Sequence, residues 1–156
     1  MVRLGLLGDT QGRYRVEALL AAVRPHLVDV DEIWHAGDWQ DEQLLVELRA
    51  LGVPLTVVNG NAPDDPRYPE RVVRRIEALT VAMVHRPPRL DEPWVRACQI
   101  VIHGHTHRWR DEVVDGVRFI NVGSATAAGF SRERTIGLLA IDGPRAHLTR
   151  IDLPTR

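Results

Sequence analysis

The sequence predicts an α/β protein in which two β-sheets pack against each other with helices on their outer faces. Three observations lead to this prediction. Apolar runs alternate with helical patterns in the first half of the chain, apolar runs follow one another without long helices in the second half, and Asp-Gly dipeptides separate the last two pairs of runs. No linker, repeat or low-complexity segment interrupts the 156 residues, so we expect a single domain spanning residues 1–156.

The first half predicts consecutive strand–helix–strand units. Val2–Leu7 is an almost continuous apolar run, as expected for a strand that is buried on both faces. Helical spacing of apolar residues follows at residues 13–23, where Arg24 and Pro25 are expected to end the helix, and again at residues 41–51. With further strands at residues 31–35 and 54–58, these units imply a parallel sheet with right-handed crossovers.

The second half predicts a mostly antiparallel sheet. Strands are expected at residues 71–76, 79–84 and 99–102, with a short helix at residues 91–97. Two hairpins follow, one around Asp115-Gly116 between residues 110–114 and 117–122, and one around Asp142-Gly143 between residues 135–141 and 146–153.

Composition excludes several classes of protein. No apolar stretch approaches the ~20 residues that span a bilayer. The formal net charge of -1 argues against binding to long nucleic acid. The single cysteine, Cys98, cannot form an internal disulfide, and the first residues lack the basic segment and apolar core of a secretory signal. We therefore expect a cytoplasmic protein with no membrane and no long nucleic acid among its partners.

Three histidines alternate directly after an apolar run, at His103, His105 and His107. Packing alone rarely places three imidazoles where a strand runs into a turn, because each buried ring needs partners for both nitrogens. Positions i and i+2 point the same way on an extended chain, so His105 and His107 could share one metal ion or hold one each of a close pair. The alternative is a strand end whose histidines are solvated or have their hydrogen bonds satisfied in the core, since His-x-His alone is a weak motif.

Polar side chains also follow the predicted strands of the first half. In open α/β sheets, ligands bind beyond the carboxyl ends of the strands, where side chains from distant parts of the chain meet. Two carboxylates, an amide and several imidazoles occupy such positions, and this mixture suits two divalent ions of the manganese, iron or zinc type. The residues concerned are Asp9, Asp38, Asn61, His85, His105 and His107.

Five short blocks occur in order along the chain. They are Gly8-Asp9-Thr10-Gln11, Gly37-Asp38, Gly60-Asn61, His85 and Gly104-His105-Thr106-His107. The series resembles the calcineurin-like metallophosphoesterase superfamily, and the chain length together with Asn121-Val122-Gly123-Ser124 resembles its small bacterial and archaeal phosphodiesterases. The resemblance covers nearly the whole chain and implies a four-layer α-β-β-α sandwich of two mixed β-sheets flanked by helices.

The resemblance also implies which residues hold two metal ions. The first ion would be bound by Asp9, Gln11, Asp38 and His107, and the second by Asp38, Asn61, His85 and His105. Two ions about 3.5–4 Å apart would activate a hydroxide that bridges them at Asp38 and attacks phosphorus, with no separate catalytic side chain. Manganese is the expected metal, with zinc, iron or nickel as alternatives.

Two positions depart from the family pattern. Gln11 stands where the family usually has histidine; its amide oxygen can coordinate a divalent ion, and the alternative is a turn residue beside a weakened first site. Ala62 stands where many members carry a histidine that assists the leaving group, and loss of a general acid typically costs a factor of about 10²–10⁴. We therefore expect slow turnover that favours esters with good leaving groups.

Other residues with useful chemistry receive different interpretations. Arg86 follows His85, and Arg132 follows the Gly123-Ser124 block, so both could donate hydrogen bonds to a substrate phosphate; a surface role is the alternative for each. His35 and His103 are expected to support the ligands from the core. Ser124 lacks a nucleophile elbow, which argues against a serine hydrolase.

The functional prediction is a metal-dependent phosphoesterase, in its specific form a phosphodiesterase that acts on a small phosphoester. The rival is a scaffold, because the retromer subunit of the resembled superfamily keeps the fold, lacks the catalytic histidine and works through protein contacts. Gln11 and Ala62 make that rival credible. A mononuclear site filled only at the second position is a third alternative, and a homo-oligomer is neither required nor excluded.

Overall fold

The computed structural model describes residues 1–129 and 131–154. The helices are α1 (Val16–Leu27), α2 (Glu42–Arg49) and α3 (Pro93–Arg96). The strands are β1 (Val2–Leu7), β2 (Glu32–His35), β3 (Leu55–Val57), β4 (Arg71–Ile76), β5 (Leu79–Val84), β6 (Ile100–Ile102), β7 (Trp109–Val114), β8 (Val117–Val122), β9 (Thr135–Asp142) and β10 (Arg145–Asp152).

These strands form two five-stranded mixed sheets. The first has the order β10-β9-β1-β2-β3, with β1, β2 and β3 parallel and β9 antiparallel to β1. The second has the order β4-β5-β6-β8-β7, with β5, β6 and β8 parallel and an antiparallel strand at each edge. Each sheet therefore contains three adjacent parallel strands, whose carboxyl ends point in the same direction.

The main core lies between the two sheets. On β1, Leu4 and Leu6 face this core, whereas Leu7 packs with the helices on the other face, as expected for the two-residue period of a strand. Helices α1 and α2 cover the outer face of the first sheet, and Val95 of α3 packs on the outer face of the second. The layers run α-β-β-α, so the predicted four-layer sandwich is confirmed.

The prediction of a mostly antiparallel sheet in the second half was wrong. Strands β5, β6 and β8 run parallel, joined by crossovers through α3 and β7, and the β9–β10 hairpin belongs to the first sheet. Turn dipeptides identify which two strands form a hairpin. They carry no information about the sheet edge that the hairpin joins, which depends on packing between distant parts of the chain.

Helix α1 differs from its predicted bounds at both ends. It begins at Val16 because the preceding loop is held by Gln40, whose side chain accepts a hydrogen bond from the Gly12 N–H (2.9 Å) and donates to the Gly12 carbonyl (3.2 Å). It continues past Pro25 to Leu27, which is fully buried. A proline removes one hydrogen bond of the helix, and the burial of Leu27 offsets that loss near the helix end.

The remaining elements agree with their predicted bounds within one or two residues. Helix α3 (Pro93–Arg96) is shorter at both ends than the predicted range of residues 91–97. Within the described ranges, the helices lack the length and hydrophobicity that crossing a membrane requires.

Candidate metal centre

The parallel strands of the two sheets end at the same place. Within each sheet, backbone hydrogen bonds connect the turns that follow the strands: the Asp9 N–H donates to the Gly37 carbonyl (3.1 Å), and the Gly104 N–H donates to the His85 carbonyl (2.8 Å). Between the sheets, the His105 N–H donates to the Asp9 carboxylate (3.1 Å). Ligand-type side chains from both sheets converge here, as the position of the motifs after the strands predicts. The side chains that follow these strands are Asp9, Asp38, Asn61, His85, His105 and His107.

Two groups of candidate ligand atoms share Asp38. Asp38, His85 and His105 offer atoms that all lie within 4.8 Å of one another, and Asp9, Asp38 and His107 form a second such group. The carboxylates and imidazoles thus fall into the same two groups as in the ligand sets that the resemblance implies. We call Asp38, Asn61, His85 and His105 the His85 half of the centre, and Asp9, Gln11, Asp38 and His107 the His107 half.

The His85 ring turns one nitrogen toward the other side chains of its half. Its Nδ1 lies 2.8 Å from the Ala36 carbonyl, so Nδ1 carries the proton and Nε2 is left as an acceptor. Around Nε2 lie Asn61 Oδ1 at 2.9 Å, Asp38 Oδ2 at 3.2 Å and His105 Nδ1 at 3.3 Å. A carboxylate oxygen, an amide oxygen and two imidazole nitrogens thus lie close together, and this is a donor set that a divalent metal ion can bind.

Asp38 has one oxygen held by the backbone and one oxygen available. Oδ1 accepts hydrogen bonds from the N–H groups of Asn61 (2.8 Å) and Ala62 (2.9 Å). Burial acts to raise the pKa of Asp38, but the hydrogen bond and charge of His85 and these N–H groups outweigh burial and lower it. A side chain at Gly60 would collide with this carboxylate, which explains the glycine. Asp38 is therefore an anion fixed between both halves.

The His107 half is more loosely connected. The His107 Nδ1 donates to the Ala128 carbonyl (3.0 Å), which turns Nε2 toward Asp9 Oδ1 at 3.5 Å. Asp9 is completely buried, and its carboxylate accepts from the His105 N–H at 3.2 and 3.1 Å. Burial raises the pKa of Asp9 to about 6, although His107 and His85 act in the opposite direction. A divalent ion beside Asp9 would favour its charged form.

Gln11 provides an independent test of whether the residues fit a metal. Its backbone carbonyl accepts a hydrogen bond from Thr126 Oγ1 (2.7 Å), which fixes the main chain two residues after Asp9. The side-chain Oε1 is buried and has no hydrogen-bond partner among the described residues. An unsatisfied buried oxygen costs about 1–3 kcal/mol, and a cation would satisfy it. The donor set and this oxygen together fit a pair of divalent ions.

Four of the candidate ligands have a left-handed backbone conformation. Their φ angles are +51° for Asp9, +56° for Asp38, +72° for His105 and +59° for His107. Each such conformation costs a non-glycine residue on the order of 1–3 kcal/mol and persists only where the surroundings hold it. Aspartate and histidine adopt this conformation more often than most residues, and strain of this kind is concentrated at functional sites.

Sequence reasoning did not identify the residues that hold the ligand-bearing turns. Asn121 donates to the Gly104 carbonyl (3.1 Å) and to Thr106 Oγ1 (3.0 Å), which fixes the turn between His103 and His107. Ser124 Oγ donates to the Asp9 carbonyl (2.7 Å). The block Asn121-Val122-Gly123-Ser124 was the available signal, but its spacing shows only a resemblance and not these contacts.

The two histidines expected to lie in the core do so. The His103 Nδ1 donates to its neighbour's carbonyl at Gly104 (3.0 Å), its Nε2 accepts from Arg110 (3.1 Å), and burial lowers its pKa to about 4. The buried His35 contacts Thr10 Oγ1 through Nε2 (2.8 Å), and burial lowers its pKa to about 3. Both rings are therefore neutral supports behind the candidate ligands.

The two arginines predicted to contact substrate lie on opposite sides of the centre. Arg86 is exposed and lines a cavity of about 500 Å³ with Asn61 and His85. Arg132 is exposed and lines a groove of about 890 Å³ with His105 and His107. Their positions agree with a role in substrate binding, which stays a prediction.

Comparison with known proteins supplies the family. The model of the calcineurin-like phosphoesterase superfamily domain matches residues 2–143. A probable metallophosphoesterase of the archaeon Methanothermobacter thermautotrophicus is 29% identical, and the match covers 97% of this chain and 94% of the relative.

Solved structures share the fold. An archaeal protein described as a novel phosphodiesterase superposes with a TM-score of 0.77 at 20% identity, with 96% of this chain and 100% of that chain covered. Vps29 of Entamoeba histolytica, in a complex with zinc, superposes with a TM-score of 0.75 at 20% identity, with 97% and 99% covered. The family match spans most of the sequence and agrees with the fold and the ordered ligand blocks, so this chain belongs to the calcineurin-like phosphoesterase superfamily.

Proposed function

We propose that the protein is a phosphodiesterase that works with two divalent metal ions. The observation that supports this most strongly is the pair of ligand groups that share Asp38, each with its atoms within 4.8 Å. The ions would be held by the residues of the His85 half and the His107 half, as the sequence predicts. When bound, such a pair neutralises phosphate oxygens and supplies a nucleophile at neutral pH.

The protein's own contribution is to fix the ligands before the substrate arrives. The carbonyls of Ala36 and Ala128 fix the tautomers of His85 and His107, so that each ring presents Nε2 to a carboxylate. The N–H groups of Asn61 and Ala62 hold one oxygen of Asp38. Ligands held in this way lose little conformational entropy when the site is loaded.

The position of Ala62 limits the leaving groups that the site can expel. Its N–H is occupied by Asp38, and its methyl side chain has no proton to give to a departing oxygen. An aryl leaving group is stable as an anion, whereas an alkoxide requires protonation. We therefore expect aryl phosphodiesters to react much faster than dialkyl phosphodiesters.

Several finer features belong to the same proposal. Manganese is the metal we expect, because the centre mixes oxygen with imidazole donors, and zinc, iron and nickel are the alternatives. The substrate would be a small phosphoester, and Arg86 and Arg132 would bind it from the two sides of the centre. The enzyme would work in the cytoplasm, and its oligomeric state is left open.

Hydrolysis of bis(p-nitrophenyl) phosphate tests the proposal. Purified protein supplied with Mn²⁺ should release p-nitrophenolate, EDTA should abolish the release, and renewed Mn²⁺ should restore it. The absence of hydrolysis with manganese, zinc, iron and nickel, together with purified protein that contains no metal, would contradict it.

A scaffold without catalysis is the second candidate. The structural similarity to Vps29, together with Ala62 and Gln11, favours it. Docking surfaces usually present a contiguous apolar patch, whereas the exposed large apolar residues each lie on a different described segment: Met1, Val28, Val46, Val73 and Val113. Protein that binds two metal ions per chain but hydrolyses no diester would favour the scaffold.

A further inference from the structure

The groove on the His107 side of the centre is built from the same segments as the ligands. It has a volume of about 890 Å³ and is lined by residues 105–109, by residues 129 and 131–133, and by Arg150. The loop that forms one wall is attached to the centre, because the Ala128 carbonyl accepts a hydrogen bond from His107. A side chain at Gly129 would also press on that ring. A ligand in the groove therefore lies at a fixed position relative to the metal ligands.

The groove has more positively charged side chains than the binding of a single phosphodiester group requires. Three arginines line it against a single acidic residue, Glu133. Arg150 is neutralised by ion pairs with Glu133 (2.9 Å) and Asp152 (3.0 Å). The exposed side chains of Arg108 and Arg132 have no hydrogen-bond or ion-pair partner within residues 1–129 and 131–154. Two guanidinium groups are thus available beside a centre whose metal ions would already neutralise the phosphate that is cleaved.

The opposite side of the centre has the reverse charge. The cavity beside Asn61 and His85 is lined by three carboxylates, Asp64, Glu70 and Glu92, against two arginines. Asn59 already donates hydrogen bonds to Asp64 (2.8 Å) and Glu70 (3.0 Å). The carboxylates of this cavity would repel a second anionic group of the substrate, and the arginines of the groove would attract it. This difference in charge would favour one orientation of the bound substrate.

We propose that the groove binds a second phosphate group of the substrate, through Arg108 and Arg132. The substrate class is accordingly a phosphodiester of a nucleoside or similar small molecule that carries a further phosphate monoester. Guanidinium groups bind such a dianion with paired hydrogen bonds, and a monoester has the charge that the two arginines balance. This inference rests on the proposed phosphodiesterase activity for the position of the cleaved phosphate.

A matched pair of substrates tests the groove. The two compounds are the p-nitrophenyl ester of thymidine 5′-phosphate and the same ester with a phosphate on the 3′ oxygen, so the leaving group and the cleaved bond are identical. The 3′-phosphate should lower KM roughly tenfold with little change in kcat, as expected for charge-assisted hydrogen bonds made equally in the ground state and the transition state. Equal KM values would overturn the proposal.

Charge-reversal variants locate the effect. Arg132→Glu and Arg108→Glu should each abolish the KM advantage of the 3′-phosphate, and Arg132→Lys should retain part of it. The matched control is Arg145→Glu, an exposed arginine at the start of β10, which should keep the full advantage. Loss of the advantage in the control as well would overturn the proposal, because it would show only a dependence on net charge.

Binding measurements separate this proposal from the catalytic one. Calorimetry should show that thymidine 3′,5′-bisphosphate binds the Mn²⁺-treated protein roughly tenfold more tightly than thymidine 5′-phosphate, and that Arg132→Glu removes the difference. This result without any hydrolysis would refute the phosphodiesterase activity and support the groove. Equal affinities with normal hydrolysis would refute the groove alone.

Discussion

The two halves of the candidate metal centre share Asp38 but differ in how close together their side chains lie. In the His85 half, three side-chain oxygen or nitrogen atoms lie within 3.3 Å of one imidazole nitrogen. In the His107 half, the closest Asp9 and His107 atoms are 3.5 Å apart, and the buried side-chain oxygen of Gln11, the further candidate ligand, has no described partner. The candidate ligand atoms of the His85 half already lie close together, whereas Asp9 and His107 are held mainly by hydrogen bonds to backbone groups.

Because of this difference, we expect the two ions to bind with unequal affinities. Each half includes one amide, but the His85 half is preassembled and has two imidazoles rather than one, so it loses less entropy on binding. We therefore expect the ion in the His85 half to bind first and more tightly. The ion in the His107 half should bind at higher concentration, and turnover should follow its occupancy.

The largest expected effect comes from the residue that the two halves share. Asp38→Asn keeps the size and the acceptor oxygen for the backbone N–H groups but removes the bridging charge. Both ions should bind much more weakly, and hydrolysis of bis(p-nitrophenyl) phosphate should fall by at least about 10³-fold. Kinetics and metal analysis of the purified variant measure both effects.

The control for that variant is Asp29→Asn, the same chemical change at an exposed position after α1. It should retain wild-type metal content and rate. Two bound ions and normal activity in Asp38→Asn would show that no shared carboxylate is needed.

Single histidine variants should separate the halves. His85→Ala should weaken the tighter ion by about 10–100-fold or more and leave the weaker ion little changed. His107→Ala should affect only the weaker ion. Calorimetric titration with Mn²⁺ resolves the two events, and His147→Ala, at an exposed position on β10, is the control. Equal losses of both ions in both variants would remove the distinction between the halves.

Protonation of Asp9 provides a test that uses metal-free protein. The folded-state pKa of about 6 lies above the ordinary value of 3.8, so this group stabilises the fold when protonated. That contribution is present below about pH 4 and is lost as the pH rises through 6. The free energy of unfolding of the metal-free wild type should therefore fall, relative to Asp9→Asn, between pH 4 and 7, as urea denaturation can measure.

Added Mn²⁺ should reverse this difference at pH 7, because the ion favours the charged carboxylate of the wild type. A difference in unfolding free energy that does not change with pH would show that Asp9 titrates normally.

Gln11 is expected to give the smallest effect. Gln11→Ala should weaken the ion of the His107 half by about tenfold, and Gln11→His should strengthen it by a similar factor, because imidazole is the better donor for these metals. The ion of the His85 half should be unchanged in both variants. If neither variant changes the weaker binding event, Gln11 is a turn residue.

The sequence identified the candidate ligands, whose binding of metal stays a prediction, but it did not identify the residues that hold them in place. Strand ends followed by Asp9, Asp38 or His85 were recognisable because apolar runs and polar turns are local features. The destination of the β9–β10 hairpin, the left-handed turns and the contacts of Ser124 depend on residues that are far apart in sequence. Local patterns carry no information about such contacts, so these features required the structure.

The most direct test of the unequal halves is to locate manganese at a single equivalent per chain. Anomalous scattering from crystals of protein loaded with one Mn²⁺ should show the ion between Asp38, Asn61, His85 and His105, and a second ion beside Asp9 and His107 only when Mn²⁺ is in excess. A first ion beside Asp9 and His107, or equal occupancy of both positions at one equivalent, would show that the His85 half is not the tighter site.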